Sequence, residues 1–137
     1  FFLATKSGKA QAQNFMKQVQ LQKGDLPPVL DIEQLYGVKP EQMRSRAKEW
    51  LSTVEEHYGI KPVIYSYADF YERNLGREFD AYPLWVAHYF EPENPRINRP
   101  WTFWQHSDKG RVNGVNGMVD FNVFNGDSAQ WKKILIK

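Results

Sequence analysis

Two carboxylates spaced two residues apart, Asp31 and Glu33, are the side chains of this sequence best suited to chemistry. They lie at the end of the apolar run at residues 29–32, which predicts a short strand buried on both faces. Because side chains alternate along a strand, the two acids should point the same way, with their Cα atoms roughly 6–7 Å apart. Two acids this close beside apolar surface do not ionise independently, so the pKa of one rises. The pair then supplies one proton donor and one anion, as glycoside cleavage requires.

The same pair also has plainer interpretations. An acidic pair after a strand can cap a helix, bind a cation or stand in solvent, and Asp-x-Glu occurs often by chance. The pair alone therefore leaves catalysis as one interpretation among several, and the rest of the sequence has to decide between them.

Composition sets broad limits on the function. The chain has 137 residues, enough for one domain with a core, and its 42% hydrophobic and 25% charged content is that of a globular protein. A net charge of +2 gives no nucleic-acid footprint, and no apolar run is long enough to span a membrane. The absence of cysteine excludes disulfides and thiolate metal sites. The aromatic content of 15% is high, which fits either a large core or surfaces that stack on sugars.

The flanking sequence predicts alternating helices and strands. Ser7 is suited to cap a first helix that runs through Lys23, with Gly24 just beyond its end. Apolar residues at helical spacing between Pro40 and Gly59 predict a second, longer helix. Further strands are predicted at residues 62–66, 84–89, 102–107 and 119–124, and further helices at residues 68–75 and from Asp127 or Ser128 to Leu135.

This order of elements predicts an α/β fold with a largely parallel sheet. Two Asn-Gly pairs within residues 113–117 predict a hairpin turn before the last strand. In a parallel α/β barrel the functional side chains collect at the carboxyl ends of the strands. The polar residues at those ends are Glu33, Ser66, His88, Tyr89 and Ser107.

Five motifs in a fixed order resemble a known family and cover nearly the whole chain. The chain resembles glycoside hydrolase family 25, the lysozymes of the N-acetylmuramidase type. The motifs are Leu-Pro-Pro-Val-Leu-Asp-Ile-Glu at 26–33, Lys-Pro-Val-Ile-Tyr at 61–65, Leu-Trp-Val-Ala-His-Tyr at 84–89, Trp-Gln at 104–105 and Val-Asp-Phe-Asn at 119–122. The resemblance implies a modified (β/α) TIM-like barrel, no cofactor, and cleavage of the β-1,4 bond between N-acetylmuramic acid and N-acetylglucosamine in peptidoglycan.

The resemblance also implies roles for single residues. Glu33 matches the general acid that protonates the leaving oxygen, and Asp31 matches the acid that orients or polarises the substrate's 2-acetamido group. Asp120 matches a further acid of the site, with Asn122 beside it. The positions that match sugar-facing residues of the family are Tyr65, Trp85, Tyr89 and Gln105.

The resemblance begins part-way into the family's domain. The family starts with a strand that carries an Asp-Val-Ser motif, whose Asp is a fourth acid, whereas this chain opens at Phe1-Phe2, near the end of what resembles the third strand. We therefore expect residues 1–137 to be one domain, the C-terminal two-thirds of a catalytic domain, with a barrel incomplete at the N-terminus and without the upstream acid. Residues 1–4 lack the basic start and long apolar core of a signal peptide. For the parent protein, the resemblance implies secretion or a place in the cell envelope.

Several other residues have plain structural interpretations. His88 is expected to be a hydrogen-bonded core histidine, and neither a triad with Ser66 or Ser107 nor a zinc site with the other histidines is expected. The tryptophans Trp50 and Trp131 lie at core positions of predicted helices. Residues 108–110 are interpreted as a turn, and Asp69 and Asp80 as caps or solvated charges.

Two alternatives to a lysozyme remain open. The chain could be a non-catalytic or weakly active glycan-binding fragment, because the upstream acid has no counterpart here. A chitinase like those of family 18 fits less well, since its acidic motif is a longer run of alternating Asp. An incomplete barrel would also leave an open sheet edge, so we expect the chain either to associate with itself or to be marginally stable.

Overall fold

A computed structural model describes all residues, 1–137, as one five-stranded sheet with helices. The strands are β1 Val29–Asp31, β2 Val63–Tyr67, β3 Leu84–Ala87, β4 Phe103–Gly110 and β5 Val119–Phe124, in the spatial order β1-β2-β3-β4-β5. The helices are α1 Gly8–Gln18, α2 Pro40–Tyr58, α3 Ala68–Asn74 and α4 Ser128–Ile134, with a 3₁₀ turn at Arg77–Phe79. None of the helices combines the length and the apolar content that crossing a bilayer requires.

The α/β class and the largely parallel sheet are confirmed. Strands β1 to β4 pair in parallel, and β5 runs antiparallel to β4. The sheet is open, with β1 and β5 at its edges, so a closed barrel is not what these residues form. Beside β1, the backbone N–H of Phe2 donates to the carbonyl oxygen of Asp31 at 2.7 Å.

One face of the sheet is covered by helices and forms the core. The buried strand residues Leu30, Ile64, Leu84 and Val86 pack with apolar residues of α2 in one hydrophobic cluster. Helix α1 packs on α2 at Gly8, where an added Cβ would collide with the backbone of Arg46. The apolar periodicity of α2 therefore determines which face of the sheet is closed to solvent.

The second helix is confirmed at both ends, whereas the first is shorter than predicted. Helix α2 runs from Pro40 to Tyr58 and ends on Gly59, whose φ is 69°. Ser7 caps α1 as predicted, but the helix ends at Gln18 instead of Lys23. Val19 is extended, and its carbonyl oxygen accepts a hydrogen bond from the Tyr58 hydroxyl at 2.6 Å. The C-terminal end of α1 therefore coincides with a contact to α2.

The predicted strands 84–89 and 102–107 have different ends in the structure. Strand β3 stops at Ala87, two residues early, although the N–H of His88 still donates to the Gln105 carbonyl at 3.1 Å. Strand β4 continues to Gly110, so the prediction of a turn at residues 108–110 is wrong. These residues are extended because β4 pairs with β5 out to Gly110 opposite Val119, with irregularities that absorb the extra length.

The C-terminal hairpin and helix follow the predicted order. The β4–β5 connection contains Gly114 and Gly117 at φ of 89° and 112°, as the Asn-Gly pairs predict. Asp127 caps α4 through a capping box with Gln130. Of the two tryptophans predicted to lie in the core, Trp50 is buried and Trp131 is 37% exposed. The prediction for Trp131 is wrong because α4 buries no residue. The Trp131 ring packs at the surface against Phe103 of β4 and Phe124 of β5.

Candidate active site

The face of the sheet opposite the helices carries a polar and aromatic row. Strand register aligns Asp31 with Tyr65 and Tyr65 with Trp85 across β1, β2 and β3, and Gln105 with Asn122 across β4 and β5. These side chains share one face because strand residues alternate. They line an open cavity of about 400 Å³ together with Val29, Glu33 and Asp120.

Asp31 and Glu33 meet in this cavity as the strand alternation predicts. Burial, and then the neighbouring Asp31 carboxylate, raise the pKa of Glu33 from 4.5 to about 7. A carboxyl group with this pKa is still partly protonated at neutral pH and can donate a proton. One oxygen of Asp31, Oδ1, is buried and makes no hydrogen bond within the protein. A buried acceptor without a donor is unfavourable, and groups of this kind are found at functional sites.

Gln105 is held in the cavity by hydrogen bonds from two tyrosines. Its Oε1 atom accepts hydrogen bonds from the hydroxyls of Tyr65 at 2.6 Å and Tyr89 at 2.8 Å. Burial raises the pKa of both tyrosines, so both remain neutral donors. Since Oε1 takes both bonds, the orientation of the Gln105 amide is determined, and its NH₂ group makes no bond within the protein.

Trp85 is held in place by its neighbours. Its indole N–H donates to Oδ1 of Asn122 at 2.7 Å, and its ring meets those of Tyr65 and Phe103 at centroid distances of 5.2 and 5.8 Å. The side chain is only half-buried. A fixed ring with one open side is suited to pack on the C–H face of a sugar. Its use as a sugar platform stays a prediction.

The structure therefore brings the predicted site residues together. Seven of them line the cavity and Tyr89 reaches it through Gln105. Ser66 is buried and donates to the Ile32 carbonyl at 2.7 Å, which removes it from any triad. His88 is hydrogen-bonded as expected: its Nδ1 accepts the Arg96 N–H at 3.0 Å.

Sequence reasoning missed Tyr67 at the mouth of the cavity. Its ring lies 6.4 Å from that of Tyr65 and 6.1 Å from that of Tyr89, and the residue is 38% exposed. The signal was available, because Val63, Tyr65 and Tyr67 continue the alternation of one strand face. The predicted strand ended at residue 66, one residue short.

Three comparisons place this geometry among known proteins. The model of a family described as "Glycosyl hydrolases family 25" matches residues 1–115. The chain is 46% identical to protein YegX of Escherichia coli K12 over 92% of its own length and 46% of that protein. It is 37% identical to Lysozyme M1 of Streptomyces globisporus over 90% of its length and 47% of that lysozyme.

A solved structure shows the same fold. The crystal structure of the bacterial lysozyme from Streptomyces coelicolor superposes with a TM-score of 0.83 at 35% identity, covering 96% of this chain and 67% of that one. The chain thus spans about half the length of the curated relatives it matches and two-thirds of this solved chain.

Proposed function

Because the chain belongs to glycoside hydrolase family 25, we propose that the protein is a lysozyme. Its substrate is the glycan strand of peptidoglycan, and it cleaves the β-1,4 bond between N-acetylmuramic acid and N-acetylglucosamine. The observation that carries this proposal is the pKa of Glu33, raised to about 7 beside Asp31 in a cavity lined by aromatic and amide side chains. No cofactor takes part in the proposed reaction.

Glu33 is the general acid. Its carboxyl proton goes to the glycosidic oxygen as the bond from that oxygen to C1 of the muramic acid breaks. The leaving sugar departs as an alcohol, and Glu33 is left as a carboxylate. In the second half, this carboxylate takes a proton from the water that attacks C1, which returns the acid to its starting state.

Asp31 assists the substrate's own 2-acetamido group. The acetamido carbonyl oxygen attacks C1 as the leaving group departs, and positive charge develops on the acetamido nitrogen. The carboxylate of Asp31, which lines the cavity, accepts the N–H of this group and stabilises that charge. Water then opens the ring formed on the substrate, so C1 keeps its configuration after two inversions.

The remaining residues bind and orient the sugars. Asp120 adds a third carboxylate to the cavity, and Asn122 holds Trp85 as the ring against which a sugar packs. Tyr65 and Tyr89 fix Gln105, whose NH₂ group donates to a sugar oxygen. In this proposal, five side chains bind the substrate: Tyr65, Trp85, Tyr89, Gln105 and Asn122.

The same premise extends to the architecture and location of the protein. We propose that residues 1–137 are the C-terminal two-thirds of a catalytic domain whose sheet closes into a modified (β/α) barrel. The 67% coverage of the Streptomyces coelicolor lysozyme chain supports the two-thirds span. A peptidoglycan substrate implies secretion or a place in the cell envelope.

Analysis of the reducing ends tests the reaction. Purified peptidoglycan is digested with the protein, and the products are reduced and identified by mass spectrometry. A muramidase leaves N-acetylmuramic acid at each new reducing end, and N-acetylglucosamine there would contradict the proposed bond. The alternative, glycan binding without cleavage, predicts that the protein sediments with insoluble peptidoglycan and releases no reducing ends.

Self-association through an open edge stays a prediction. On the edge strand β5, Phe121 and Val123 are 37% and 42% exposed, which supports it. Light scattering over a range of protein concentrations tests it, and a concentration-independent monomer would contradict it.

A further inference from the structure

An exposed aromatic side chain lies at, or a few residues beyond, the carboxyl end of each of three neighbouring parallel strands. Tyr36 comes after β1, Tyr67 ends β2 and Phe90 comes after β3, and they are 43%, 38% and 90% exposed. The strands are parallel, so all three residues lie at the edge of the sheet that also carries Glu33. We call these three residues the aromatic rim.

Tyr36 has a backbone conformation that does not favour its side chain. Its φ is 51°, in the left-handed region that suits glycine and asparagine. Gly37 follows at φ 79°, and the N–H of Val38 donates to the Leu35 carbonyl at 3.0 Å. This is a turn with two left-handed central residues, whose first position is usually Asn, Asp or Gly. The turn itself gains nothing from an aromatic ring.

Phe90 is the other non-glycine residue with positive φ, at 62°. The loop on either side of it is fixed by a polar clamp. His88 accepts the N–H of Arg96, and the Arg96 side chain donates to Glu91 at 2.8 Å. The clamp holds the backbone in place while the ring projects into solvent. Strain of this kind that contributes nothing to packing is typical of functional positions.

Tyr67 connects the rim to the cavity. Its ring contacts those of Tyr65 and Tyr89, and both of these tyrosines bond Gln105 inside the cavity. Adjacent strands lie about 4.8 Å apart, so the ends of β1 and β3 are separated by roughly 10 Å. The strands that lead to the three rim residues therefore span more than one sugar ring along this edge of the sheet.

We propose that Tyr36, Tyr67 and Phe90 form an additional glycan-binding surface that makes the protein bind long glycan strands more tightly than short oligosaccharides. This inference rests on the proposed function for its ligand class. Exposed rings pack on the C–H faces of neutral sugars without any charged partner, and rings on fixed backbone lose little conformational entropy on binding.

Paired substitutions distinguish the contribution of the aromatic ring from that of the backbone conformation. The variants Tyr36→Asn and Phe90→Asn remove a ring but suit the left-handed conformation, so the melting temperature should be equal or higher. The controls Tyr36→Phe and Phe90→Tyr keep a ring. All four are made in a Glu33→Gln protein, so that the ligand stays intact during titration calorimetry with soluble glycan chains of two lengths, the tetrasaccharide and the octasaccharide.

Each Asn variant is expected to lower the ratio of octasaccharide to tetrasaccharide affinity by about 2- to 10-fold, and the ring-keeping controls to retain it. The inference is overturned if both Asn variants keep the ratio, if the starting protein shows no preference for length, or if the ratio falls together with the melting temperature. Cleavage is measured separately with Glu33 in place. A protein that binds by length but does not cleave would refute the proposed reaction and leave the rim supported.

Discussion

The two faces of the sheet differ in what their side chains contact. On the helix-covered face, the side chains of Ile64 and Val86 are fully buried in the hydrophobic cluster. On the other face, the adjacent residues Tyr65 and Trp85 are half-buried and hydrogen-bonded to Gln105 and Asn122. Neighbours in sequence thus belong to different environments, and each strand contributes to both.

Because of this difference, the covered face stabilises the fold and the open face carries the candidate active site. The covered face removes apolar area from water, which is the dominant stabilising contribution to folding. The open face contains the buried Oδ1 of Asp31 without a partner and a Glu33 carboxyl whose pKa burial raises. Both features disfavour a charged carboxylate in the folded protein, and unfavourable features of this kind are typical of functional sites.

The largest expected effect is on the open face. Glu33→Gln should lower kcat by about 10²–10⁴-fold, because the amide keeps the shape of the side chain but has no acidic proton. Release of reducing ends from peptidoglycan measures this loss, with Glu56→Gln on the exposed surface of α2 as the matched control. A Glu33→Gln variant with the wild-type rate would exclude Glu33 as the acid.

A substitution on the covered face should instead lower the stability of the protein and leave kcat unchanged. Ile64 is 0% exposed, so Ile64→Ala should lower the free energy of unfolding by about 2–5 kcal/mol through lost burial and the cavity that remains. Urea unfolding measures this change. The fraction of molecules that stays folded should retain the wild-type kcat, and a large loss of kcat per folded molecule would show that the two faces are coupled.

Asp31→Asn tests the role of the second acid on the open face. The amide cannot stabilise the charge that develops on the acetamido group, so kcat should fall by roughly 10²-fold with little change in KM. The loss of the negative charge should also lower the pKa of Glu33, which Asp31 helps to raise.

The pH profile checks the second effect of Asp31→Asn. Glu33 must be protonated to act, so wild-type activity should decline as the pH rises through about 7. In the variant this decline should begin at a lower pH. A raised KM with unchanged kcat, or a decline at the same pH, would contradict the assigned role of Asp31.

Local sequence patterns are sufficient to predict most of the helices and strands. Apolar spacing, Pro40 and Gly59 determine α2, and alternation determines which side of β1 holds Asp31 and Glu33. The errors arise from contacts between distant residues. The end of α1 coincides with the hydrogen bond from Tyr58 to Val19, and the length of β4 follows its pairing with β5. Neither contact has a signal in the residues next to it.

The candidate site was predicted in part from residues and in part from resemblance. Strand alternation alone predicts the acidic pair, whereas Gln105, Asp120 and Asn122 were assigned because they match family motifs. Their grouping depends on strand order, which the sequence does not state directly. The left-handed conformations of Tyr36 and Phe90 were not predictable, because aromatic residues rarely adopt positive φ.

The smallest expected effect concerns the hydrogen bonds to Gln105. Tyr65→Phe removes the 2.6 Å hydrogen bond, but Tyr89 still donates to the amide oxygen. The Gln105 side chain should therefore stay in the cavity with a less fixed orientation. A single bond of this kind contributes about 0.5–1.5 kcal/mol, which corresponds to a rise in KM of roughly 2- to 10-fold.

The double variant Tyr65→Phe, Tyr89→Phe measures the coupling through Gln105. Because either hydroxyl alone can fix the amide, the rise in KM for the pair should exceed the product of the two single effects. Additive effects would mean that each hydroxyl contacts the substrate independently. The melting temperature should change far less than in Ile64→Ala, although Tyr65 is the next residue in the same strand, because its ring still packs against Trp85.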